Sequence, residues 1–453
     1  MRTGGIARVL ILGGGYGGLM AARLLQRHVD RDLEVTVVDP NTYMTYQPLL
    51  PEVAGGHVAP RDVTVPLGRT LRRCRVLQAS VTGVDSGSRS VSLRAADGSE
   101  STLGYDELIV AMGAISRVFP TPGLQEHGIG FKTVEEAAFL HDHVIEQVER
   151  AAGTDDPAER AKALTFLVVG GGYTGVEGLS ELADLSVKAV AQHDHLSRKD
   201  IRWVLVEALD RVAPEVGPEL SRWTLGHLRE KGIDVRLETT VKSVEDAVVE
   251  LSTGESFAAG TVIWTAGVQP NPVLDATDLP RGPKGHLMAD ASLRVVREDG
   301  TPVPGVWAVG DIAQIPDLTA ESQPAYYPPN AQNAMRQGPV AARNVLADLA
   351  GREPEEYRHV SLGTVASYGI GDGAANIKGV RLNGLPAWLA HRSYHLLALP
   401  TLGRKTRVLL GWIAEAVAGR ELVALPAVRH PKRAFDGSFK ALAAAAAKKR
   451  KSS

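Results

Sequence analysis

The chain has 453 residues, enough for two or three domains and a sizeable core; 44% of its residues are apolar and 23% are charged. Its 50 basic and 52 acidic side chains leave a net charge of −2, which argues against a dedicated nucleic-acid binder. A single cysteine, Cys74, excludes an internal disulfide framework and any two-cysteine redox centre. The start, MRTGGIARVLIL, runs straight into a predicted strand without a secretory pattern, and no apolar run reaches the roughly 18 residues of a membrane span. A reduced, cytoplasmic setting is expected, with attachment to a membrane surface left open.

The first elements read as strand, turn, helix, strand. ARVLILGGG is an apolar run ending in glycines, YGGLMAARLLQRH has helical spacing, and EVTVVDP is a second apolar run ending in Asp39. Gly13, Gly15 and Gly18 fit G-x-G-x-x-G. The first allows a tight turn, the second lets a phosphate approach the backbone at a helix N-terminus, and the third permits close helix–strand packing. Asp39 stands beyond Gly18 at the distance expected of an acid that accepts hydrogen bonds from ribose hydroxyls. The alternative is a glycine-rich turn with no ligand; the flanking strand, helix and acid favour a dinucleotide.

A second copy begins at LTFLVVGGGYTGVE, where Gly170, Gly172 and Gly175 repeat the pattern. RWVLVEA is its second strand and ends in Glu207. The gap from Gly175 to Glu207 is longer than usual, and a long helix and loop take up the extra length. An acid there favours a free ribose 2′-hydroxyl and repels a 2′-phosphate, so NADH is expected over NADPH, although Arg211 stands nearby. DELIVAMGAISR (106–117) is echoed by GTVIWTAGVQP (260–270), while VPGVWAVGDIAQ (303–314) has no counterpart in the second half. This order predicts an α/β fold with two Rossmann-like dinucleotide-binding domains, the second inserted into the first: residues 1–118 and 264–345 form one, 119–263 the other, and 346–453 a C-terminal domain.

In that last part, SLGTVASYGIGDGAANIKG predicts short strands and residues 385–420 predict two helices. Leu409, Trp412, Ile413, Ala416 and Val417 fall on one helical stripe, rimmed by His391, Arg392, Arg404, Lys405 and Arg407. The stripe suits a helix lying in a membrane interface, or equally one packed on the core or at a dimer interface. The tail KALAAAAAKKRKSS is expected to be an alanine-rich helix that either adds attraction to anionic lipid or ends as a solvated, frayed terminus. The two HDH triplets, 141–143 and 193–195, are read as solvated histidines; no metal site is expected. AGTDDPAERAKA (152–163) is read as a charged connector, and Cys74 as a packed bystander.

Taken in order, GGGYGG, VVD, IVAMGA, GGGYTGVE, LVE, TAGV and AVGDIA resemble the flavoproteins with two dinucleotide-binding domains. Within them, TYQPLLPEVAGG (45–56), GGGYTGVE and AQNAMRQG (331–338) resemble the type II NADH:quinone oxidoreductases. The resemblance implies non-covalent FAD in the first domain: pyrophosphate on Gly13, Gly15 and Gly18, ribose on Asp39, Val81 near the adenine, Gly113 near the cofactor's middle, and Asp311 on the ribityl–phosphate part. It places NADH on Gly170, Gly172, Gly175 and Glu207. Glu177 matches an acid near the nicotinamide and flavin rings, implying ring orientation or proton handling. Ala331 and Gln332 match a motif beside the isoalloxazine and the quinone, and Lys378 loosely matches a lysine at the flavin's far side. Gln332, Arg336 and Gln337 are the implied quinone residues; Arg336 replaces the usual Gln, a cation that cannot accept a hydrogen bond.

The implied reaction passes a hydride from NADH to flavin N5 and then two electrons to menaquinone or ubiquinone, without ion pumping. It places the protein on the cytoplasmic face of the cell membrane as a peripheral protein, a homodimer being left open. Two rivals remain: a soluble FAD-dependent NAD(P)H reductase of the ferredoxin-reductase sort, and a slow redox-sensing flavoprotein.

Overall fold

The apolar run Ala7–Leu12 is buried over its last four residues, as a strand covered on both faces must be. A computed structural model describes residues 6–439 other than 31, 434 and 437, and in it this strand lies inside an eight-stranded sheet. Leu33–Asp39 pairs with it in parallel on one side and Glu107–Val110 on the other. Arg75–Asp85 continues the sheet in parallel, and Ser90–Ala95 and Glu100–Gly104 extend it as antiparallel strands. The opposite edge comes from much later in the chain: Pro302–Ala308 runs parallel to Glu107–Val110, and Arg294–Val296 closes the edge.

A second sheet, of five parallel strands, is built from the intervening chain. Its order is Gly128–Gly130, Thr261–Trp264, Thr165–Val169, Arg202–Val206, Asp234–Arg236. Thr261–Trp264 thus flanks the second glycine strand as Glu107–Val110 flanks the first, which is the internal echo seen in the sequence. The segments that leave these two strands, Ala114–Ser116 and Val268–Pro270, pair with each other as an antiparallel ribbon.

Helix Val134–Ala152 starts at a capping box of Thr133 and Glu136 and corrects the reading of the first HDH triplet. Residues two apart on a helix point in nearly opposite directions, and here both directions are covered. His141 is buried with Nδ1 3.1 Å from the Ala54 carbonyl, and His143 Nε2 lies 3.0 Å from Thr261 Oγ1, so neither is a solvated histidine. His195 is exposed, and no metal-binding cluster occurs among the described residues. The charged connector holds a short helix, Pro157–Ala163, whose N-cap Asp156 accepts from Ala158 N.

Beyond helix Ala331–Leu349, the strands Thr364–Ser367, Gly373–Ile377 and Val380–Asn383 form an antiparallel sheet. Two helices follow, Leu385–Ala398 and Leu402–Ala418. The second leaves Leu402, Leu409, Leu410, Ile413 and Val417 exposed, Val417 at 84%. The stripe drawn from the sequence is corrected at one position: Trp412 turns inward, its Nε1 donating to Glu52 Oε2 at 2.5 Å. The basic rim is corrected too. His391 is 2% exposed and Arg392 lies between the Trp388 and Trp412 rings, while Arg404 and Arg407 share Asp62. The basic tail lies outside the described residues.

Candidate active site

The two glycine turns are superposable in their chemistry. Gly13 and Gly170 take φ of +99° and +107°, the left-handed region in which a side chain is strained. A Cβ on Gly18 would stand 1.8 Å from the Gly13 carbonyl oxygen, and one on Gly175 1.9 Å from that of Gly170. Helix and strand therefore meet at van der Waals contact in both places. Above Gly15 the space is open within 4 Å. Helices Tyr16–Leu25 and Tyr173–Val190 both start here with no side-chain cap, so their first N–H groups remain available to an anion.

The acid at the end of each second strand does more than the spacing rule requires. Asp39 Oδ2 accepts from Gly14 N at 2.7 Å, and Glu207 Oε2 accepts from Gly171 N at 2.5 Å. Each carboxylate also caps its own following loop, through Asn41 N and Leu209 N. The acids brace the turns and keep further lone pairs for ribose hydroxyls. Burial pushes the Asp39 carboxyl up, against the two backbone N–H groups that hold it down. Arg211 forks onto its neighbour Asp210, so no free guanidinium faces Glu207 from that position. Glu215, which sequence reasoning missed, lies 3.3 Å from where a Gly172 Cβ would stand; burial pushes its carboxyl up, with Glu177 and Glu207 adding to the effect.

The other expected FAD residues divide. Gly113, at φ +64°, has nothing within 4 Å of its Cβ position, an open approach to the first turn's sheet edge. Asp311 follows Gly310 on a short turn; burial raises its carboxyl, Lys132 and His286 lower it, and it takes no hydrogen bond from the described residues. An acceptor so placed is free for a ligand hydroxyl. Val81 sits at a bulge in Arg75–Asp85, half-buried. Lys378 lies at φ +48° in the exposed turn between Gly373–Ile377 and Val380–Asn383, with solvent around it rather than either glycine turn.

Helix Ala331–Leu349 carries the implied quinone residues on different faces. Gln332 is tied to the loop after it: Oε1 accepts from Leu362 N at 3.2 Å and lies 2.9 Å from His359 Nε2. Arg336 turns back onto the Gln332 carbonyl at 2.8 Å. Gln337 departs from the expectation. It is 2% exposed and its Oε1 accepts from Gly310 N at 2.7 Å, so it holds the Asp311 turn from below instead of facing an acceptor.

Glu177 sits in the first turns of Tyr173–Val190, 8% exposed, turned away from the glycines. Its Oε1 accepts from Ser367 N at 2.9 Å and lies 3.3 Å from His391 Nε2. One helical turn on, Glu181 lies on the same face and is 1% exposed. His57 bridges it to the C-terminal helices: Nε2 is 2.7 Å from Glu181 Oε2 and Nδ1 is 2.5 Å from Glu415 Oε1. Arg420 approaches the same Glu181 carboxylate at 3.6 Å. Burial pulls the His57 imidazole down, but the two carboxylates outweigh it and Arg420, raising it to about 9. Arg392 meets Glu52 at 3.5 Å, and Tyr46 OH lies 3.0 Å from His395 Nδ1. The 45–56 segment, visible in the sequence only as a resemblance, is thus the plate on which the last two helices dock.

Cys74 is half-buried, its Sγ 3.8 Å from the Ala22 carbonyl, and burial pushes the thiol up to about 11 against the pull of Arg73. It is no redox thiol.

Two sheets with parallel strands at their centres, each with a glycine turn braced by an acid, define a two-nucleotide oxidoreductase. Residues 7–338 match the pyridine nucleotide-disulphide oxidoreductase family, and the chain belongs to it. It is 29% identical to the type II NADH:quinone oxidoreductase Ndh of Mycobacterium tuberculosis over 91% of this chain and 89% of that one. It is 28% identical to the type II NADH:quinone oxidoreductase of Staphylococcus aureus over 84% of this chain and 92% of that one. The structure of NDH2 from Plasmodium falciparum in complex with NADH shares the fold at a TM-score of 0.84 and 19% identity, covering 92% of this chain and 99% of that one. The sulfide:quinone oxidoreductase of Aquifex aeolicus follows the same fold at a TM-score of 0.67 and 18% identity, covering 91% and 94%.

Proposed function

We propose that the chain is a non-pumping NADH:quinone oxidoreductase that carries FAD on its first glycine turn and admits NADH to its second. The observation that carries this reading is the doubled turn: one braced by Asp39, the other by Glu207, with the buried Glu177 one helical turn beyond the second. Gly13, Gly15, Gly18, Asp39, Gly113 and Asp311 fit FAD, because the turn is open above Gly15 and Asp311 is an unclaimed acceptor. When bound, the flavin supplies the two-electron chemistry between NADH and the quinone. The chain's own part is to orient the nucleotide, exclude water and manage protons; Glu177 and Gln332 are assigned to that work, with Arg336 beside Gln332. Residues 1–118 and 264–345, 119–263 and 346–453 are taken as the corresponding domains.

The test is anaerobic. Purified protein with bound FAD should bleach on NADH and regain its absorbance with a menaquinone or ubiquinone analogue. No bleaching sinks the proposal; bleaching without reoxidation by any quinone assigns a different acceptor. Glu207→Ala should raise the KM for NADH about tenfold, one ribose contact being worth roughly 1–3 kcal/mol, and leave NADPH far less affected. Equal losses would remove Glu207 from the ribose.

Among the described residues no helix is long and apolar enough to cross a membrane. The exposed stripe of Leu402–Ala418, with Arg407 65% exposed beside it, supports docking on a membrane surface, which we take to be the cytoplasmic face of the cell membrane. Replacing Leu410, Ile413 and Val417 together by Asp removes about 2 kcal/mol of burial per residue. Co-sedimentation with anionic vesicles should fall at least tenfold while NADH still bleaches the flavin; unchanged sedimentation would place the membrane contact elsewhere.

A further inference from the structure

The interior between helices Tyr173–Val190 and Leu385–Ala398 holds more negative than positive groups. Four carboxylates lie there: Glu52, Glu177, Glu181 and Glu415. Three cations answer them: Arg392 on Glu52, Arg420 on Glu181, and His57 between Glu181 and Glu415. A buried charge without a partner costs several kcal/mol, so each carboxylate here either keeps a cation beside it or is pushed toward its neutral form, as burial pushes the Glu52 carboxyl up against Arg392. Glu177 is the carboxylate left over. Among the described residues no arginine or lysine pairs with it; His391 lies 3.3 Å away, and Glu215, Tyr173 and Tyr368 are the other ionisable groups that feel its charge. His391 is 2% exposed, and its Nδ1 has no hydrogen-bond partner. The groups facing it are Glu177 across the helix pair, Glu52 from Leu50–Ala54, and His395 on its own helix at a centroid distance of 4.4 Å.

We propose that His391 holds, on the nitrogen facing Glu177, the proton that completes this buried set and that quinone reduction consumes. The inference rests on the function proposed above. NADH supplies one hydride equivalent, and a quinone needs one proton besides to become a quinol. His391 gives that proton from Nε2 to Glu177 Oε1: the N–H bond breaks, the O–H bond forms, and the carboxyl hands the proton on to a quinone oxygen. The ring is left neutral with its proton on Nδ1, and the vacated Nε2 takes up a replacement proton drawn from solvent before the next turnover. Electrons come only from NADH, and the histidine ends as it began. His391 acts through Glu177 and is a positioning residue rather than a catalytic one.

The experiment has two arms on the FAD-loaded, full-length protein. In stopped flow, His391→Gln should keep bleaching by NADH within about twofold of the parent and lose about 100-fold in reoxidation by a short-chain quinone, the range for losing a positioned proton donor. Glu177→Gln should lose as much, and the double variant no more than either single one. Parental reoxidation in His391→Gln, equal slowing of both half-reactions, or additive losses would each overturn the proposal. The second arm needs no quinone. Infrared difference spectra of the resting protein against Glu177→Gln should show an ionised carboxylate in the parent, and a protonated carboxyl once His391→Gln has removed its cation. A protonated Glu177 in the parent overturns the proposal even if the histidine variant does not fold. A parent that never reduces quinone defeats the functional reading while leaving this arm to judge the pair.

Discussion

Replacing Gly175 with alanine is expected to leave FAD bound and to raise the KM for NADH tenfold or more. The methyl group would stand 1.9 Å from the Gly170 carbonyl oxygen and 2.7 Å from Thr265 Oγ1, and Thr265 is itself bonded to Val169 and Gly170. Neither neighbour is the free end of a flexible side chain. The helix start must move away from the strand, and forced overpacking of this kind costs about 1–3 kcal/mol, paid here in the geometry that receives pyrophosphate. Gly18→Ala makes the same collision in the first turn, 1.8 Å from the Gly13 oxygen, and should instead yield protein depleted of flavin. Absorbance of the purified variants measures the flavin, and steady-state kinetics measures NADH. If Gly175→Ala lost flavin and Gly18→Ala lost NADH affinity, the assignment of the two turns would be reversed.

The second large effect is expected where the last helices dock. Arg420→Ala takes the guanidinium away from the buried Glu181 carboxylate and carbonyl, a loss of about 3–5 kcal/mol for a broken buried pair, and the melting temperature should fall by several degrees. The same cluster sets a pH dependence. His57 is raised to about 9, so its stabilisation is complete below its unfolded value near 6.5 and is lost as pH rises through 9. That amounts to about 3 kcal/mol across the window. Glu181 and Glu415 are held below the usual carboxylate range by His57, against burial, so their share appears above about 4.5 and fails in acid. Melting curves between pH 6.5 and 9 should decline in the parent, and that decline should flatten in His57→Gln. Parallel declines would show that another group carries the effect.

The nucleotide turns were legible because their chemistry is local. A strand, three glycines, a helix and an acid at fixed distance lie within about 40 residues, and the reasons for each act through neighbouring backbone. Glu177 could be singled out for its place near a helix start, but not its partner, because His391 comes from a helix in the C-terminal part, far away in sequence. Helical spacing could mark an apolar stripe on Leu402–Ala418 but not which edge faced inward. Spacing puts Trp412 on that stripe and Arg392, from the preceding helix, on its basic rim, whereas Glu52 draws both inside. Gln337 shows the same limit on a smaller scale. Its motif placed it with Gln332, yet the step from one to the other along the helix is a rotation onto another face, and Gly310 N was waiting there. The histidines of helix Val134–Ala152 sit in a polar stretch that reads as solvent-facing, yet the helix is covered on two sides.

The order of the strands also has a consequence for how the chain is made. Helix Tyr16–Leu25 is completed by Ala331–Leu349, which lies so close that a Cβ on Gly338 would reach 2.3 Å from the Gly17 carbonyl oxygen. The sheet beneath it lacks two strands until Pro302–Ala308 has been synthesised. The inserted sheet, by contrast, has all five strands once residue 264 has left the ribosome. During translation the middle of the protein is therefore expected to complete its sheet before the beginning does, the N-terminal sheet keeping one edge uncovered until a segment made much later arrives. Protease protection of ribosome-stalled chains should show this inversion, with the 128–264 unit resistant while residues 7–110 are still cut.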